Sequence, residues 1–180
     1  MKNQTVYWAK LTYGDWGIYL AATAAGLCYV GSVNQPFEEL EAWVMKHRPH
    51  SSLGHDEERL QPFMNEVIEY LQGTREQFSI DCDLSGTPFQ LAVWEALRQI
   101  PYGQTASYTD IASIMKKPAA VRAVGAAIGA NPVLITVPCH RVIGKNGSLT
   151  GYRGGLPMKT TLLDLEKKSS DDAKRSVKHV

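Results

Sequence analysis

The sequence predicts a mixed α/β (α+β) fold, with a small antiparallel sheet and its helices in residues 1–84 and a helical unit in residues 85–168. Two observations support this division. The chain opens with three short runs rich in β-branched and aromatic residues, separated by turn-forming residues. After residue 86 the strand patterns give way to apolar residues at helical spacing. With 180 residues, of which 44% are apolar, the chain is long enough for a packed core.

The strand runs are predicted to form a meander, at Thr5–Leu11, Trp16–Thr23 and Leu27–Val33. Pro36 then opens a helix predicted to reach Arg48. A loop is predicted over Pro49–Gly54, which is rich in serine and contains proline and glycine. A second helix, predicted over Asp56–Gln72, ends at Gly73. Phe78–Leu84 alternates in polarity and could return as a strand.

The basic part of the chain is predicted to be helical throughout. Thr87 is a helix cap with Pro88 at the first helical position, and this helix is expected to reach Ile100. Helices predicted over Ser107–Met115 and Pro118–Ala130 have the lengths and the tight connection of a helix-turn-helix. A last helix is predicted over Leu156–Lys168, and residues 169–180 are predicted to be a disordered polar tail.

Charge is divided unevenly along the chain, although the whole carries a formal net charge of only +1. Residues 1–84 hold 6 Lys/Arg against 12 Asp/Glu, a net charge of −6. Residues 85–168 hold 10 against 4, a net charge of +6, and the tail adds +1. An acidic half joined to a basic half indicates a polyanion that is met by one face only.

Composition excludes several protein classes. The N-terminus shows no apolar signal segment, and the longest weakly polar run, residues 18–30, is shorter than the ~20 residues of a membrane span. The three cysteines Cys28, Cys82 and Cys139 cannot all pair and form no CxxC motif. We therefore expect free thiols in a cytoplasmic protein that does not associate with membranes.

The residues most indicative of chemistry lie at Pro138-Cys139-His140-Arg141, after an apolar run predicted to be extended. A thiol is a useful nucleophile as the thiolate, and a neighbouring histidine can take its proton. Adjacent residues of an extended segment point to opposite sides, so a bridging water is expected between Cys139 and His140. Glu166 is the best-placed carboxylate to orient His140. The alternative is a core thiol beside a core histidine; Cys28 and Cys82 are interpreted as core residues.

Pro138-Cys139-His140-Arg141-Val142 resembles the active-site signature of the O6-alkylguanine-DNA alkyltransferases, also called methylated-DNA–protein-cysteine methyltransferases. The similarity extends over nearly all of residues 87–168, at Gly103, Ser107-Tyr108, Arg122-Ala123-Val124-Gly125-Ala126, Asn131-Pro132, Gly151-Tyr152 and Gly154-Gly155-Leu156. The resemblance implies a ribonuclease-H-like domain at 1–84 and a winged-helix-like domain with a helix-turn-helix at 85–168. It also implies DNA repair by direct reversal, in which Cys139 takes the alkyl group of O6-alkylguanine, and of O4-alkylthymine, in one irreversible turnover.

Roles in the chemistry follow from the same resemblance. Glu166, His140, a water and Cys139 would form a proton relay, and Asn131 would brace the active-site loop. Tyr108 would donate a hydrogen bond to N3 of the extruded base. The backbone around Val142 and Arg153 would contact the base. Tyr152 and Gly154 complete the expected substrate-binding set. A tyrosine packed at a helix interface is the alternative for Tyr108.

Double-stranded DNA is the partner that the resemblance implies. The target nucleotide must leave the duplex, and Arg122 would take its place in the stack. Small residues on the same helix would let it approach the minor groove, and further residues would contact DNA, namely Ala126, Ala127, Thr109, Lys116, Lys117, Lys145 and the side chain of Arg153. The alternatives are a tightly packed Ala/Gly helix seam and ordinary solvated charges.

Neither a cofactor nor a metal is expected. Some members of the family bind zinc through N-terminal cysteines and histidines, but no cysteine precedes Cys28 here, and His47, His50 and His55 make no convincing ligand set. A monomer without an obligate protein partner is expected. Two other functions stay open: a lesion-sensing DNA-binding protein without catalysis, and a Cys-His-Glu thiol hydrolase.

Overall fold

A four-stranded sheet forms the first part of the molecule in the computed structural model, which describes residues 3–178. The strands, in the spatial order β3-β2-β1-β4, are β1 (Gln4–Tyr13), β2 (Trp16–Thr23), β3 (Gly26–Val30) and β4 (Ser51–His55). The meander of β1, β2 and β3 is antiparallel, as predicted. The loop predicted over residues 49–54 is wrong, since β4 pairs in parallel with β1. Its polar sequence has little strand propensity, and the pairing with β1 supplies the order.

One helix covers each face of this sheet. α1 (Phe37–His47) buries Leu40 and Val44 against one face, and α2 (Glu57–Leu71) packs against the other. Asp56 caps α2 by accepting a hydrogen bond from the backbone N–H of Arg59 at 3.0 Å. The possible strand at 78–84 is reduced to a single bridge between Cys82 and Leu27.

Short helices dominate the second part of the chain. They are α3 (Pro88–Arg98), α4 (Tyr108–Ile114) and α5 (Val121–Gly129). Thr87 and Gln90 form a reciprocal capping box at the start of α3. The helix predicted from Pro118 to Ala130 is split, because residues 118–120 form a 3-10 turn before α5 begins. The strands β5 (Ala106–Ser107) and β6 (Val142–Ile143) pair in parallel and were not predicted.

The last helix, α6 (Leu156–Lys178), is longer than predicted. The polar tail predicted from residue 169 is helical as far as Lys178, and its last two residues lie outside the described part. Extending an existing helix avoids the cost of nucleating a new one, and Asp171 and Arg175 stand at the favourable i, i+4 spacing. Among residues 3–178, no helix has the length and apolar character needed to cross a membrane.

The two parts of the chain share one hydrophobic core. Leu20 and Leu27 of the sheet belong to the same buried cluster as Trp94, Leu97 and Val133 of the helical part. At the edge of the sheet, the backbone N–H of Val30 donates to the carbonyl of Pro132 at 3.0 Å. The edge of β3 is therefore attached to the segment that leads to Cys139.

Candidate active site

Cys139 lies at the end of a loop that the side chain of Asn131 holds closed. Nδ2 of Asn131 donates to the carbonyl of Val137 at 3.0 Å, and Oδ1 accepts from the N–H of Val133 at 2.9 Å. Asn131 is 1% exposed, so these bonds are shielded from water. Such contacts are what the bracing role predicted for Asn131 requires.

The loop itself is tightly turned, and the prediction of an extended run is wrong. The N–H of Thr136 donates to the carbonyl of Leu134 at 2.8 Å, which places Ile135 at the centre of a γ-turn with a φ of 69°. A β-branched residue in this region costs on the order of 1–3 kcal/mol. A second tight turn, from the N–H of Cys139 to the carbonyl of Val137 at 2.8 Å, passes through Pro138. Pro138 therefore lies within the turn that fixes the backbone of Cys139.

His140 points one ring nitrogen at Glu166 and leaves the other without a partner. Residues 139–141 form a 3-10 turn, so the argument that neighbouring side chains alternate does not apply here. Nε2 of His140 lies 3.0 Å from Oε1 of Glu166. Nδ1 is buried and forms no hydrogen bond with any residue between 3 and 178. Because Nε2 bonds to a carboxylate, Nδ1 is the nitrogen that can accept a proton.

Glu166 is held by more donors than the sequence indicated. Arg141 reaches it through Nη2 at 2.6 Å and Nε at 3.0 Å, and the hydroxyl of Tyr70 donates to Oε1 at 2.9 Å. Burial by itself would raise the pKa of this carboxyl, but the bonds from His140 and Arg141 outweigh it and lower the pKa to about 2. Glu166 is therefore ionised at neutral pH.

Two of these contacts were missed by sequence reasoning. Arg141 belongs to the Pro138-Cys139-His140-Arg141 motif, so its place next to His140 could have indicated a contact with the same carboxylate. Tyr70 comes from α2, far away in the chain, and no local pattern distinguishes it from a core tyrosine. Its hydroxyl lies 3.3 Å from Nε2 of His140, so the N-terminal half of the chain contacts the predicted relay directly.

Cys139 is a neutral thiol in this resting arrangement. Burial raises the pKa of the thiol, and the hydrogen bond with Asn131 and the charges of Arg153 and Lys159 oppose this only in part. Burial likewise lowers the pKa of His140, against the pull of Glu166. The neutral imidazole can act as a general base and take the proton when the thiol attacks. A preformed thiolate would need no such base.

Lys159 is a second residue that the sequence reasoning missed. It is 1% exposed, and its Nζ donates to the carbonyls of Val142 at 2.6 Å and Thr150 at 3.0 Å. It lies on the buried stripe of α6 together with Leu162 and Glu166. A charged residue at a core position of a helix was a signal that could have been found. Lys159 fixes two backbone segments close to Cys139.

The residues predicted to surround the substrate come from α4 (Tyr108), β6 (Val142) and the loop before α6 (Tyr152 and Gly154). The hydroxyl of Tyr108 is 2.7 Å from Oγ1 of Thr150, and Val142 is fully buried. The hydroxyl of Tyr152 is buried and has no hydrogen-bond partner in the described chain. A Cβ on Gly154 would overlap the side chain of Met158 and lie 2.7 Å from the ring of Tyr152, so any other residue there would require both side chains to shift.

The residues predicted to contact DNA are mostly on the surface. Arg122 and Ala126 are exposed on the same face of α5. Four other candidates are also exposed, namely Thr109, Lys116, Lys117 and Lys145. Ala127 is different: it is 3% exposed, and its carbonyl accepts a hydrogen bond from Nε1 of Trp94 at 2.8 Å. It belongs to the inner face of α5, so we leave it out of the proposed DNA surface.

The side chain of Arg153 is turned toward the protein interior, which contradicts the phosphate contact predicted for it. Its Nη2 donates to the carbonyls of Val30 at 2.8 Å and Pro132 at 3.1 Å, and its Nε to the carbonyl of Asn131 at 3.2 Å. These bonds turn the guanidinium toward the protein interior.

No group of three or more His, Cys, Asp or Glu side chains that could hold a metal ion lies within the described residues.

Comparison with known proteins identifies the family. Residues 6–84 match the ribonuclease-like domain of 6-O-methylguanine DNA methyltransferase, and residues 88–168 match the DNA-binding domain. The inducible methylated-DNA–protein-cysteine methyltransferase of Bacillus subtilis (strain 168) is 61% identical over 168 residues, covering 93% of this chain and 94% of that protein.

Solved structures give the same answer. The crystal structure of Mycobacterium tuberculosis O6-methylguanine methyltransferase matches with a TM-score of 0.79 at 37% identity, covering 91% of this chain and 94% of that chain. The structure of Mycobacterium tuberculosis OGT in complex with DNA matches with a TM-score of 0.75 at 36% identity, covering 92% and 94%. The predicted fold class is confirmed, and the chain belongs to the methylated-DNA–protein-cysteine methyltransferase family.

Proposed function

We propose that the protein repairs DNA by direct reversal, moving the alkyl group of O6-alkylguanine, and of O4-alkylthymine, onto Cys139. One observation carries the proposal. His140 follows Cys139 directly in the chain, its Nδ1 is buried and free to accept a proton, and its Nε2 lies 3.0 Å from Oε1 of Glu166. A relay of this kind generates a nucleophile from a thiol that burial keeps protonated. DNA as the partner is supported by the DNA-binding domain match over residues 88–168.

The reaction is a displacement at the alkyl carbon. The sulfur of Cys139 forms a bond to that carbon, the bond from the carbon to O6 breaks, and its electron pair stays with the guanine. The thiol proton passes to Nδ1 of His140, through the bridging water that the family resemblance implies, and Glu166 stabilises the imidazolium. The guanine anion then takes up one proton at N1 from water, and the imidazolium of His140 returns one proton to water, so that normal guanine and neutral His140 result. A thioether has no carbonyl for water to attack, so the protein is used once.

Tyr108 stabilises the leaving guanine in this proposal. Negative charge spreads over the ring as the bond to O6 breaks, and a hydroxyl donor at N3 favours that charge. The hydroxyls of Tyr108 and Thr150 are 2.7 Å apart. When Thr150 donates to the oxygen of Tyr108, the proton of Tyr108 is free to reach the base. Val142, Tyr152 and the backbone at residues 153–154 form the rest of the proposed pocket.

Transfer of label tests the function. Duplex DNA carrying O6-methylguanine with a labelled methyl group should transfer about one label per protein molecule, since a thioether is not released. Mass spectrometry should locate the added group on the peptide that contains Cys139. Repeated turnover, or label on another residue, contradicts the proposal. A hydrolase would instead release product continuously, and a lesion sensor would bind the DNA without transfer; the presence of Cys139 disfavours the sensor.

Arg122→Ala should separate base flipping from chemistry. Because Cys139 is 4% exposed, the target nucleotide must be extruded from the stack to reach it. Arg122 is exposed on the face of α5 proposed to enter the groove. Loss of its support for the flipped state should slow reaction with duplex DNA about 10- to 100-fold, a cost of a few kcal/mol. Reaction with free O6-benzylguanine, which needs no flipping, should change little.

Lys117→Ala is the matched control for Arg122→Ala. Lys117 is exposed in the connection between α4 and α5 and is proposed to contact phosphate only. Its removal should weaken DNA binding and reduce the salt dependence by about one unit of slope, without a loss in the limiting rate. Equal losses of rate in Arg122→Ala on duplex DNA and on the free base would rule out the flipping role of Arg122.

We further propose that the protein is a cytoplasmic monomer that needs no cofactor.

A further inference from the structure

We propose that Arg153 is a positioning residue that holds the two walls of the reaction pocket in register with the N-terminal half of the chain. The assignment rests on the proposed function, because it concerns the pocket in which Cys139 reacts. Arg153 lies in one wall, between Tyr152 and Gly154. Its guanidinium contacts the base of the loop that carries Cys139, which is the other wall.

Three backbone carbonyls receive the guanidinium. Nε donates to the carbonyl of Asn131, and Nη2 donates to the carbonyls of Pro132 and Val30. Asn131 and Pro132 are the first residues of the loop that leads to Cys139, and Val30 is the last residue of strand β3. The N–H of Val30 also donates to the carbonyl of Pro132 at 3.0 Å. Arg153 therefore lies at the point where the sheet meets the active-site loop and binds both. The guanidinium donates from two separate nitrogens, Nε and Nη2, that are fixed in one plane, and the single ammonium nitrogen of a lysine cannot reproduce that geometry.

The N-terminal half completes this arrangement from α1. Oε1 of Glu39 lies 3.4 Å from Nη1 of Arg153, and it also accepts from the hydroxyl of Tyr29 at 2.8 Å and the N–H of Ser32 at 3.1 Å. The hydroxyl of Ser32 donates to the carbonyl of Arg153 at 3.2 Å. Both the backbone and the side chain of Arg153 are thus bonded to residues of the acidic half. We call Arg153, Glu39, Tyr29 and Ser32 the Arg153 strap.

The strap controls how the two pocket walls face each other. Asn131 bonds to Arg153 through its backbone and closes the Cys139 loop through its side chain. A shift of Arg153 therefore changes the position of the thiol relative to the wall that holds the base. Displacements of about 1 Å at such a site reduce reaction rates by as much as 100-fold.

The positive charge of Arg153 acts in the same direction. Burial raises the pKa of the Cys139 thiol, and the charges of Arg153 and Lys159 both oppose that rise. The other titratable groups near the thiol are His140, which is next to it in the chain, and Tyr152, which burial keeps in its neutral form. Removal of Arg153 should therefore raise the pKa of the Cys139 thiol further, so that the increase of the reaction rate with pH moves to higher pH. Lys159 should retain part of the opposing effect.

Single-turnover kinetics on labelled duplex DNA test the assignment, with Arg153→Met and Arg153→Lys compared to the wild type. The limiting rate of Arg153→Met should fall about 10-fold, since its stem packs but its donors are lost. Arg153→Lys should recover the pH profile but only part of the rate. The DNA concentration for half-saturation and its salt dependence should stay unchanged in both variants. Should Arg153→Met not fold, Arg153→Lys and Glu39→Gln decide the same question through their limiting rates.

Arg75→Met is the matched control. Arg75 is 26% exposed and Arg153 is 25% exposed. Arg75 pairs with the carboxylates of Glu66 and Glu69 and donates to the carbonyl of Gln77, none of which belongs to the proposed pocket. It should lose thermal stability to a similar degree and keep the full limiting rate. Three results overturn the assignment: an unchanged rate in the Arg153 variants, an equal rate loss in Arg75→Met, or a salt slope reduced by about one, which indicates a phosphate contact. Failure of the wild type to transfer label would overturn the proposed function instead.

Discussion

Cys139→Ser should abolish transfer of the alkyl group while leaving the fold and the binding of damaged DNA intact. The rate should fall by about 10⁴-fold or more, because a hydroxyl is a far weaker nucleophile than a thiol and gives up its proton to His140 far less readily. The side chains differ by one atom, and Cys139 is 4% exposed, so the core packing is nearly preserved. Incorporation of label from O6-methylguanine DNA and a gel-shift assay with the same duplex measure the two properties separately.

Cys82→Ser is the control for this prediction. Cys82 is also a free thiol whose pKa is raised by burial, but the side chains that oppose this rise are those of Arg98 and Thr136 rather than a histidine. Its replacement should leave transfer unchanged. Label that persists in Cys139→Ser, or that is lost in Cys82→Ser, would place the nucleophile elsewhere. The comparison shows whether the relay, rather than the presence of a buried thiol, makes a cysteine reactive.

Local signals in the sequence were sufficient for most of the fold. The capping box at Thr87, the turn at residues 14–15 and the apolar stripes of α1 and α2 are set by residues close together in the chain. β4 could not be predicted in this way. Its strand geometry depends on hydrogen bonds to β1, a partner that lies more than forty residues earlier. The helical end of α6 was missed for a related reason, since polarity indicates exposure and does not exclude a helix.

The candidate site divides along the same line. Cys139, His140 and Asn131 lie in one short segment of the chain, so local motifs were enough to identify them as candidate site residues. Tyr70 could not be identified from the sequence, because its contact with the relay arises only in the folded chain, where its hydroxyl on α2 lies 2.9 Å from Glu166 on α6. Arg153 shows the limit of composition-based reasoning. A positive charge in a basic segment favours a phosphate contact, but three backbone carbonyls bind it inside the protein.

Glu166→Gln should lower the limiting rate of transfer by about 100-fold, the usual contribution of a positioned acid–base group. The carboxylate stabilises the imidazolium that forms when His140 takes the thiol proton, and an amide cannot supply that charge. Single-turnover rates with free O6-benzylguanine isolate this step, because the free base requires no flipping. His140→Asn should have an effect at least as large, and the double variant should add little, since the two residues act as one unit.

The same substitution should also destabilise the fold, so a control must separate the two effects. Arg141 is 6% exposed and would lose its only carboxylate partner among the ion pairs of residues 3–178, at a cost of about 3–5 kcal/mol. Glu66→Gln is the matched control. Glu66 is 7% exposed and accepts hydrogen bonds from Ser79, away from the thiol. It should lose stability and retain the rate, and a comparable rate loss in both variants would reduce the role of Glu166 to a structural one.

Acid titration shows whether the carboxylate is held as the structure indicates. Its pKa is lowered from the ordinary value of 4.5 to about 2, so the folded state binds this proton less tightly than the unfolded state does. Glu166 therefore contributes stability, about 3 kcal/mol, that is fully present above pH 4.5 and is lost as the pH falls toward 2. The carboxyl ¹³C resonance of Glu166 should titrate with a midpoint near 2. A midpoint near 4.5 would mean that Arg141, Tyr70 and His140 do not hold the carboxylate together in solution, and the explanation for the rate loss in Glu166→Gln would fall with it.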